Sequence, residues 1–280
     1  MTLSAQTPQT PQTPQFAVFG APIKHSLSPK IHAAFAAQCG IALEYRAIEA
    51  HAADFAATLS DFAERGGAGA NVTLPLKSLA LTLCSSVDSS AERAGAINTL
   101  IRIDNGWRGA NTDGIGLVRD LTQRQQLSLQ GRRLLIIGAG GAARGVLGPL
   151  LEAGALDLVI ANRSLENALA LAQQFNGKAC ALDQLKDQGA FDLIVHASSA
   201  GHGEFVLPSW PDSLMRTGTA LVDLSYGAAS KPALAWASEL DIVAFDGLGM
   251  LIEQAAEAFY LWHHQRPDTA PVWGLLRAMN

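Results

Sequence analysis

The sequence predicts an α/β fold in two domains, one of them built on a doubly wound parallel sheet. The chain has 280 residues, and an ordinary domain has roughly 100–200 residues. Strand-like and helix-like segments alternate along it with short connections, which is the order expected of a parallel sheet covered by helices. Residues 133–137, RLLII, form a continuous apolar run, which is typical of a strand buried on both faces.

The composition excludes several classes of protein. Hydrophobic residues make up 49% of the chain and charged residues 16%, so it can bury a core and is not a disordered protein. The net charge of −5 gives no basic surface for nucleic acid or for an anionic membrane. No apolar run reaches the roughly 18–20 residues that span a bilayer, and the N-terminus does not resemble a secretory signal. Three widely spaced cysteines without a C-x-x-C pair indicate neither disulfides nor a metal site. We therefore expect a cytoplasmic protein.

The first half of the chain is predicted to begin with an extended tail, residues 1–15, because residues 7–15 repeat the tripeptide TPQ. A strand at 16–19 begins the fold. Ser28 and Pro29 are expected to start a helix as its cap and first residue, and Gly40 to end it. The same reasoning predicts a strand at 43–48, a helix at 52–65, a strand at 70–73, a helix that ends at Gly95 and a strand at 96–101.

The second half begins near Gly116 with a predicted helix over 117–126. The strand at 133–137 and a helix that follows it to residue 153 start a repeated β-α order. Further strands are predicted at 156–161, 191–195, 220–224 and 242–245, and helices at 164–175 and 232–239. Two C-terminal helices, at about 250–264 and 271–279, complete the chain.

A glycine-rich loop follows the strand at 133–137 and leads into a helix. In the pattern Gly138-x-Gly140-x-x-Ala143, the first glycine permits the tight turn, the second lets a pyrophosphate approach the backbone, and the alanine permits close packing of helix on strand. The helix N-terminus adds free N–H groups and a positive dipole. The strand, the glycine loop and the helix follow one another directly, as they do in dinucleotide-binding folds, so the pattern predicts a dinucleotide-binding site.

The end of the next strand indicates which dinucleotide binds. A carboxylate about 20 residues after the glycine pattern would accept a hydrogen bond from the ribose 2′-hydroxyl of NAD. The chain has Asn162, Arg163 and Ser164 there. A guanidinium can bind a 2′-phosphate, and none of the three residues is an acid that would repel it. We therefore predict NADP(H) rather than NAD(H).

Lys77 and Asp113 are candidates for acid–base chemistry. Lys77 follows a short predicted strand, and Asp113 lies in the turn-like sequence Asn111-Thr-Asp-Gly114. An ammonium group is a suitable proton donor for the alkoxide that forms when a hydride reduces a ketone. Taken singly, each residue is more typical of an ordinary surface charge or a turn than of a catalytic group. The surrounding motifs must therefore decide between a catalytic and a structural role.

Those motifs together resemble the shikimate dehydrogenase family, in the family's order and with similar spacing over residues 16–280. They are HSLSP at 25–29, NVTLPLK at 71–77, GAINT at 95–99, NTDG at 111–114, GAGGA at 138–142, NRS at 162–164 and DGLGM at 246–250. The resemblance implies reversible, NADPH-dependent reduction of 3-dehydroshikimate to shikimate, in aromatic amino-acid biosynthesis. It also implies a small-molecule substrate as the binding partner.

The resemblance also implies roles for individual residues. Lys77 and Asp113 match the catalytic pair, and Ser26 and Ser28 match the hydroxyls that bind the substrate carboxylate. The remaining substrate contacts are implied at Thr73, Asn98, Tyr226 and Gln254. The cofactor contacts are implied at Gly138, Ala139, Gly140, Gly141, Ala142, Asn162, Arg163, Ser164, Leu224 and Gly247.

Two positions depart from the family pattern. In the family a second basic residue usually follows the stretch that corresponds to residues 162–164. Residues 165–167, LEN, contain none, so we expect weaker binding of the 2′-phosphate. Residues 196–198 read HAS where the family has NAT. His196 ends a predicted apolar strand, where a histidine is more often structural, and it is given no role.

The predicted division places residues 16–113 and 250–280 in the substrate-binding catalytic domain and residues 114–249 in the NADP-binding domain. Three alternatives stay open: a quinate/shikimate dehydrogenase that uses NAD, a relative of methylenetetrahydrofolate dehydrogenase, and a regulatory binding protein without catalysis. The sequence also leaves open whether the chain is a monomer or a homodimer, and whether Lys77 or Asp113 transfers the proton.

Overall fold

The fold contains two six-stranded sheets within the part of the chain that the structure describes. This computed structural model describes residues 13–198 and 210–278. Most of the predicted tail, residues 1–12, lies outside the described residues. The first strand begins at Gln15, so the predicted end of the tail was one residue too late.

The first sheet is mixed. Its strands are β1 (Gln15–Gly20), β2 (Glu44–Glu49), β3 (Gly67–Val72), β4 (Ser86–Val87), β5 (Thr99–Ile103) and β6 (Gly106–Ala110), and its helices are α1 (Ser28–Cys39), α2 (Phe55–Glu64) and α3 (Ser89–Ala94). The strand order is β2-β1-β3-β5-β6-β4. Strands β2, β1 and β3 run parallel, whereas β5 runs antiparallel to both β3 and β6. The carboxyl ends of β1 and β3 therefore lie side by side.

The second sheet is parallel throughout its described pairs. The helix α4 (Asp113–Arg119) leads into it from the first sheet. Its strands are β7 (Arg133–Ile137), β8 (Leu156–Asn162), β9 (Lys178–Ala181), β10 (Leu193–His196), β11 (Ala220–Asp223) and β12 (Val243–Phe245), and its helices are α5 (Gly141–Glu152), α6 (Leu165–Gln174) and α7 (Lys231–Glu239). The order β12-β11-β10-β7-β8-β9 reverses direction between β7 and β10, which makes the sheet doubly wound.

The apolar strand β7 is buried on both faces, as its composition predicted. Leu134 and Ile136 belong to the hydrophobic core on one side of the sheet, and Leu135 and Ile137 belong to the core on the other side. Because helices cover both faces, no side of β7 meets water, and the carboxyl ends of the strands are left to carry binding residues.

Two helical segments connect the sheets. α4 and a π-helical turn, Asp120–Arg124, lead from the first sheet to the second, and α8 (Leu248–His263) and α9 (Ala270–Arg277) return. α8 packs along α4 so closely that an ideal Cβ on Gly116 would lie 2.7 Å from the backbone nitrogen of Gln254. Farther along α8, Trp262 Nε1 donates to the carbonyl of Leu100 at 3.0 Å. The C-terminal helices thus pack on the first sheet.

Several local predictions need correction. Ser28 does not cap α1: Leu27 is the N-cap residue, and the Ser28 N–H donates to the Ser26 hydroxyl at 3.3 Å. The helix predicted from residue 117 begins instead at Asp113. The strand predicted at 96–101 begins at Thr99 and is followed by β6, which the sequence analysis missed.

Candidate active site and dinucleotide-binding edge

Lys77 and Asp113 form a close ion pair between the two sheets. Lys77 follows β3, and Asp113 is the first residue of α4. The Nζ of Lys77 lies 2.5 Å from Oδ2 of Asp113, and the two side chains are 18% and 5% exposed. The structure therefore brings together the two residues that the sequence indicated for acid–base chemistry.

The carboxylate of Asp113 is held in place by neighbouring amides. Asn98 Nδ2 donates to Oδ1 of Asp113 at 2.8 Å, and the Asp113 N–H donates to Oδ1 of Asn111 at 3.0 Å. Asn98 Nδ2 also lies 3.2 Å from Oε1 of Gln254 on α8. One carboxylate oxygen thus accepts from an amide donor, and the other faces the Lys77 amine.

A buried polar chain, which the sequence analysis did not find, extends from Asn98 into the first sheet. The Thr99 hydroxyl donates to Oδ1 of Asn98 at 2.9 Å, and Asn71 Nδ2 donates to the Thr99 hydroxyl at 3.2 Å. The Tyr45 hydroxyl donates to Oδ1 of Asn71 at 2.7 Å. Buried polar groups that are all bonded to one another fix their geometry, so this chain orients Asn98.

Ser26 and Ser28 lie at the other end of this polar chain. They follow the carboxyl end of β1, beside the end of β3 from which Thr73 and Lys77 extend. Burial raises the pKa of the Tyr45 hydroxyl, and the neighbouring Ser28 hydroxyl opposes the rise. Thr73 is half-buried, and no side-chain hydrogen bond within the described residues joins it to the other candidates.

Tyr226 reaches, from the second sheet, the segment Ser26–Ser28 between β1 and the start of α1, called the serine loop below. It follows β11 and packs against the cluster formed by α1, α8 and α9. Burial raises the pKa of its hydroxyl, and a hydrogen bond with the backbone of Leu27 opposes the rise. Leu27 lies between Ser26 and Ser28, so Tyr226 adjoins the proposed carboxylate-binding hydroxyls.

The glycine loop lies close to the Lys77 side chain. Gly138 has a φ of +120° and an ideal Cβ there would lie 2.8 Å from the carbonyl carbon of Ala197, so no larger residue fits. Gly140 is the N-cap residue of α5 and faces open space. An ideal Cβ on Gly141 would lie 3.8 Å from Cβ of Lys77. The N-terminus of α5 therefore lies near the Lys77 side chain.

The other predicted cofactor residues lie at the ends of neighbouring strands. Asn162 ends β8 and donates to the carbonyl of Ser164 at 3.0 Å, while Arg163 is exposed. Leu224 follows β11, and an ideal Cβ on Gly247 would lie 2.2 Å from its carbonyl oxygen. Only glycine fits at position 247, so this turn comes close to the end of β11. Ala139 is buried in the loop before α5, and Ala142 is half-buried in the first turn of that helix.

The structure also reveals a linked triad that the sequence did not indicate. His196 Nδ1 lies 3.0 Å from Oδ2 of Asp223, and His196 Nε2 lies 2.5 Å from the hydroxyl of Ser198. His196 and Asp223 are 27 positions apart and meet because β10 and β11 are neighbours. Knowledge of the strand order was needed to find them.

Some kinds of site are not found in the described chain. Across residues 13–198 and 210–278, no cluster of three or more histidine, cysteine or acidic residues could hold a metal ion. Among the helices that the structure describes, none is long and apolar enough to cross a bilayer.

Comparison with known proteins decides the family. Residues 18–100 match the model of the shikimate dehydrogenase substrate binding domain, residues 120–227 match shikimate / quinate 5-dehydrogenase, and residues 247–277 match the shikimate 5′-dehydrogenase C-terminal domain. The shikimate dehydrogenase (NADP(+)) of Xanthomonas oryzae pv. oryzae is 53% identical over 94% of this chain and 95% of its own. The chain belongs to the shikimate dehydrogenase family.

Solved structures of similar proteins have the same fold. An Ael1 enzyme from Pseudomonas putida superposes with a TM-score of 0.87 at 40% identity, covering 94% of this chain and 98% of its own. Shikimate 5-dehydrogenase from Thermus thermophilus, in complex with NADP(H) and shikimate, superposes with a TM-score of 0.83 at 34% identity, covering 92% and 96%. The predicted family and the predicted two-domain α/β class, with its Rossmann-like sheet, are both confirmed.

Proposed function

We propose that this protein catalyses the reversible, NADPH-dependent reduction of 3-dehydroshikimate to shikimate. The observation that carries the proposal is the closeness of Gly141 in the glycine loop to the Lys77 side chain: an ideal Cβ on Gly141 would lie 3.8 Å from Cβ of Lys77. Lys77 is itself paired with Asp113. A dinucleotide on that loop would lie beside an acid–base pair. The names of the relatives, together with the NADP(H) and shikimate in the Thermus thermophilus structure, support this choice of substrate and cofactor.

In this mechanism the Lys77–Asp113 pair supplies the proton that the reduction requires. NADPH, when bound, would supply a hydride to the C3 carbonyl of the substrate. The alkoxide that develops needs a proton and a positive charge, and the Lys77 ammonium provides both. Asp113 orients Lys77 and accepts a hydrogen bond from a substrate hydroxyl.

The substrate carboxylate is proposed to bind at the hydroxyls of Ser26 and Ser28. Both lie at the start of α1, where free backbone N–H groups favour an anion. The ring hydroxyls are proposed to contact the side chains that surround Asp113 and the serine loop: Thr73, Asn98, Tyr226 and Gln254. Two anchored ends would hold the carbonyl carbon at reacting distance from the cofactor, which is a large part of such catalysis.

The cofactor is proposed to lie along the carboxyl ends of β7, β8, β10 and β11. The glycine loop, residues 138–142, would hold the pyrophosphate, and Asn162, Arg163 and Ser164 would hold the adenosine 2′-phosphate. Leu224 and Gly247 would flank the nicotinamide. This arrangement assigns residues 114–249 to the cofactor domain, and residues 16–113 and 250–280 to the substrate domain. A cytoplasmic location, where the free thiols stay reduced, and a homodimer remain predictions.

Replacement of Lys77 by Met tests the catalytic assignment. Loss of the proton donor should lower kcat by roughly 10²–10⁴-fold, while binding of NADPH is kept. NADPH absorbance followed with 3-dehydroshikimate measures this. Lys178→Met, at a lysine that is 73% exposed on the far strand β9, is the control and should retain the wild-type rate. Turnover of the Lys77 variant within a few-fold of wild type would reject the assignment.

Replacement of Arg163 by Leu tests the cofactor assignment. A charge-assisted hydrogen bond contributes about 1.5–3 kcal/mol, so affinity for NADPH should fall roughly 10- to 150-fold. Affinity for NADH, which has no 2′-phosphate, should be unchanged and serves as the control. An equal affinity of the variant and wild type for NADPH would contradict this role. The ratio of kcat/KM for shikimate and quinate, each with NADP and NAD, separates the proposal from a quinate enzyme.

A further inference from the structure

A small cavity between α3 and α5 has no part in the proposed mechanism. It lies where the segments around the first sheet meet those around the second, because α3 belongs to the first sheet and α5 to the second. None of its lining residues is among the proposed substrate or cofactor contacts. The side chains that matter for its chemistry are Ser90, Arg93, Asn111 and Arg144, with Pro149 and Phe175 as apolar walls.

The charged side chains that line this cavity are both cations. Arg144 is half-buried, and its guanidinium makes no hydrogen bond, ion pair or ring contact with any residue that the structure describes. Arg93 forms an exposed ion pair with Glu152, and the Asp113 carboxylate near α5 is already paired with Lys77. A half-buried guanidinium without an anionic partner loses hydration and gains no compensating charge. The cavity therefore favours an anion.

Neutral hydrogen-bond donors adjoin the same cavity. The Ser90 hydroxyl accepts the Asn111 N–H at 3.2 Å, and its own hydrogen has no acceptor within residues 13–198 and 210–278. Asn111 Nδ2 has two hydrogens and donates to the carbonyl of Ala96 at 2.9 Å. An ideal Cβ on Gly145 would lie 3.2 Å from this Nδ2, so the amide faces α5 next to Arg144. A hydroxyl and an amide thus add donors to the two guanidinium groups.

The size of the cavity limits the kind of anion. Its volume of about 10 Å³ is close to the space that a single water-sized particle needs. A carboxylate, a phosphate or a sulfate has several heavy atoms and exceeds this space. A water molecule matches the size but brings no charge to Arg144. A monatomic anion matches both the size and the charge.

We propose that Arg144, together with Ser90, Arg93 and Asn111, forms a binding site for a monatomic halide, which is chloride under ordinary conditions. This inference goes beyond the proposed reduction and does not depend on it. Because the lining residues come from segments around both sheets, a bound chloride connects these segments. The unfolded chain has no such site, so chloride stabilises the folded protein by binding to it alone.

The line width of the chloride NMR signal tests binding directly. The full chain is titrated with sodium chloride, and sodium gluconate, whose anion is too large for the cavity, keeps the sodium concentration constant. Wild-type protein should broaden the line, and bromide should reverse the broadening. Arg144→Gln removes a charged donor, so Kd for chloride should rise at least about tenfold. Arg46→Gln removes the same charge from an exposed position on β2 and should keep the wild-type Kd.

Thermal unfolding provides a second measurement on the same variants. When chloride replaces gluconate, Tm of the wild type and of Arg46→Gln should rise, whereas Tm of Arg144→Gln should rise less or not at all. The comparison uses the change of Tm with chloride for each protein, so a lower stability of the Arg144 variant does not obscure it.

Three outcomes would overturn the proposal. Equal Kd values for chloride in the wild type and Arg144→Gln would show that Arg144 does not hold the ion. No broadening by the wild type would show that water alone occupies the cavity. Displacement of chloride by sulfate would contradict the assignment to a monatomic anion. Because these measurements need no turnover, a wild-type protein that binds chloride and fails to reduce 3-dehydroshikimate would refute the proposed function only.

Discussion

Replacement of His32 by Phe should reduce the acid sensitivity of the fold. His32 lies in α1, is 0% exposed, and stacks on Tyr45 with ring centroids 4.3 Å apart. Neither of its ring nitrogens has a hydrogen-bond partner within the described residues. Burial lowers its pKa from 6.5 to about 3; a contact with Asn71 opposes the shift and the charge of His263 adds to it. The imidazole is therefore neutral in the folded protein.

The magnitude follows from proton linkage. Because the folded pKa is lowered, the unfolded chain binds a proton below pH 6.5 while the folded protein does not, so stability falls as the pH falls. Each pH unit below the unfolded pKa costs about 1.36 kcal/mol, so His32 removes about 2 kcal/mol of the free energy of unfolding between pH 7 and pH 5. Phenylalanine keeps the stacking and does not titrate.

Denaturant unfolding at pH 7 and pH 5 measures the effect. The wild type should lose about 2 kcal/mol more of its free energy of unfolding over this range than the His32→Phe variant does. His51→Phe is the control, because the His51 side chain is 69% exposed and its replacement should leave the pH dependence unchanged. Equal losses in the wild type and in His32→Phe would show that the buried imidazole does not control acid stability.

Two further predictions concern the connection between the sheets. Gly116→Ala places a Cβ 2.7 Å from the Gln254 backbone, so it should cost about 1–3 kcal/mol of stability and raise KM for shikimate; Gly274→Ala, where no atom lies within 4 Å, should do neither. Burial raises the pKa of Asp120 from 3.8 to about 6, although Arg124 opposes this, so the fold loses stability as the pH rises through 6. The free energy of unfolding of Asp120→Asn, measured by denaturant, should rise relative to wild type by about 2–3 kcal/mol between pH 4 and pH 7.5. Parallel pH profiles of the two proteins would contradict this.

The elements around the glycine loop could be predicted because local sequence determines them. The apolar strand β7, the glycines and the helix α5 are contiguous, so strand, turn and helix signals agree with one another. Lys77 and Asp113, which the sequence predicts to act together, do form an ion pair, but Asp113 was expected in a turn. It instead begins α4, where Asn111 accepts its N–H, an arrangement also compatible with a turn sequence.

What the sequence analysis missed depends on pairing between distant segments, with one exception. Asn98, Thr99 and Asn71 form one network because β3 and β5 are neighbours, and His196 meets Asp223 because β10 and β11 are neighbours. No local pattern encodes either contact. The β5–β6 hairpin did carry a signal: the two-residue turn Asp104-Asn105 is followed by Gly106 with a φ of +126°, a residue typical of tight hairpins.

The side-by-side packing of α4 and α8 has a consequence for motion. The chain passes between the lobes twice, and both passages lie together, with Gly116 against Gln254 and Gly249 against Asp120. If the crevice between the two sheets opens, we expect the sheets to rotate about this pair of helices. Asp113 and Gln254 lie on these two helices, so we expect such a movement to leave their backbones nearly in place. We therefore expect that ligands enter and leave by relative movement of the two sheets, while the Asp113 carboxylate, proposed to act with Lys77, keeps its place.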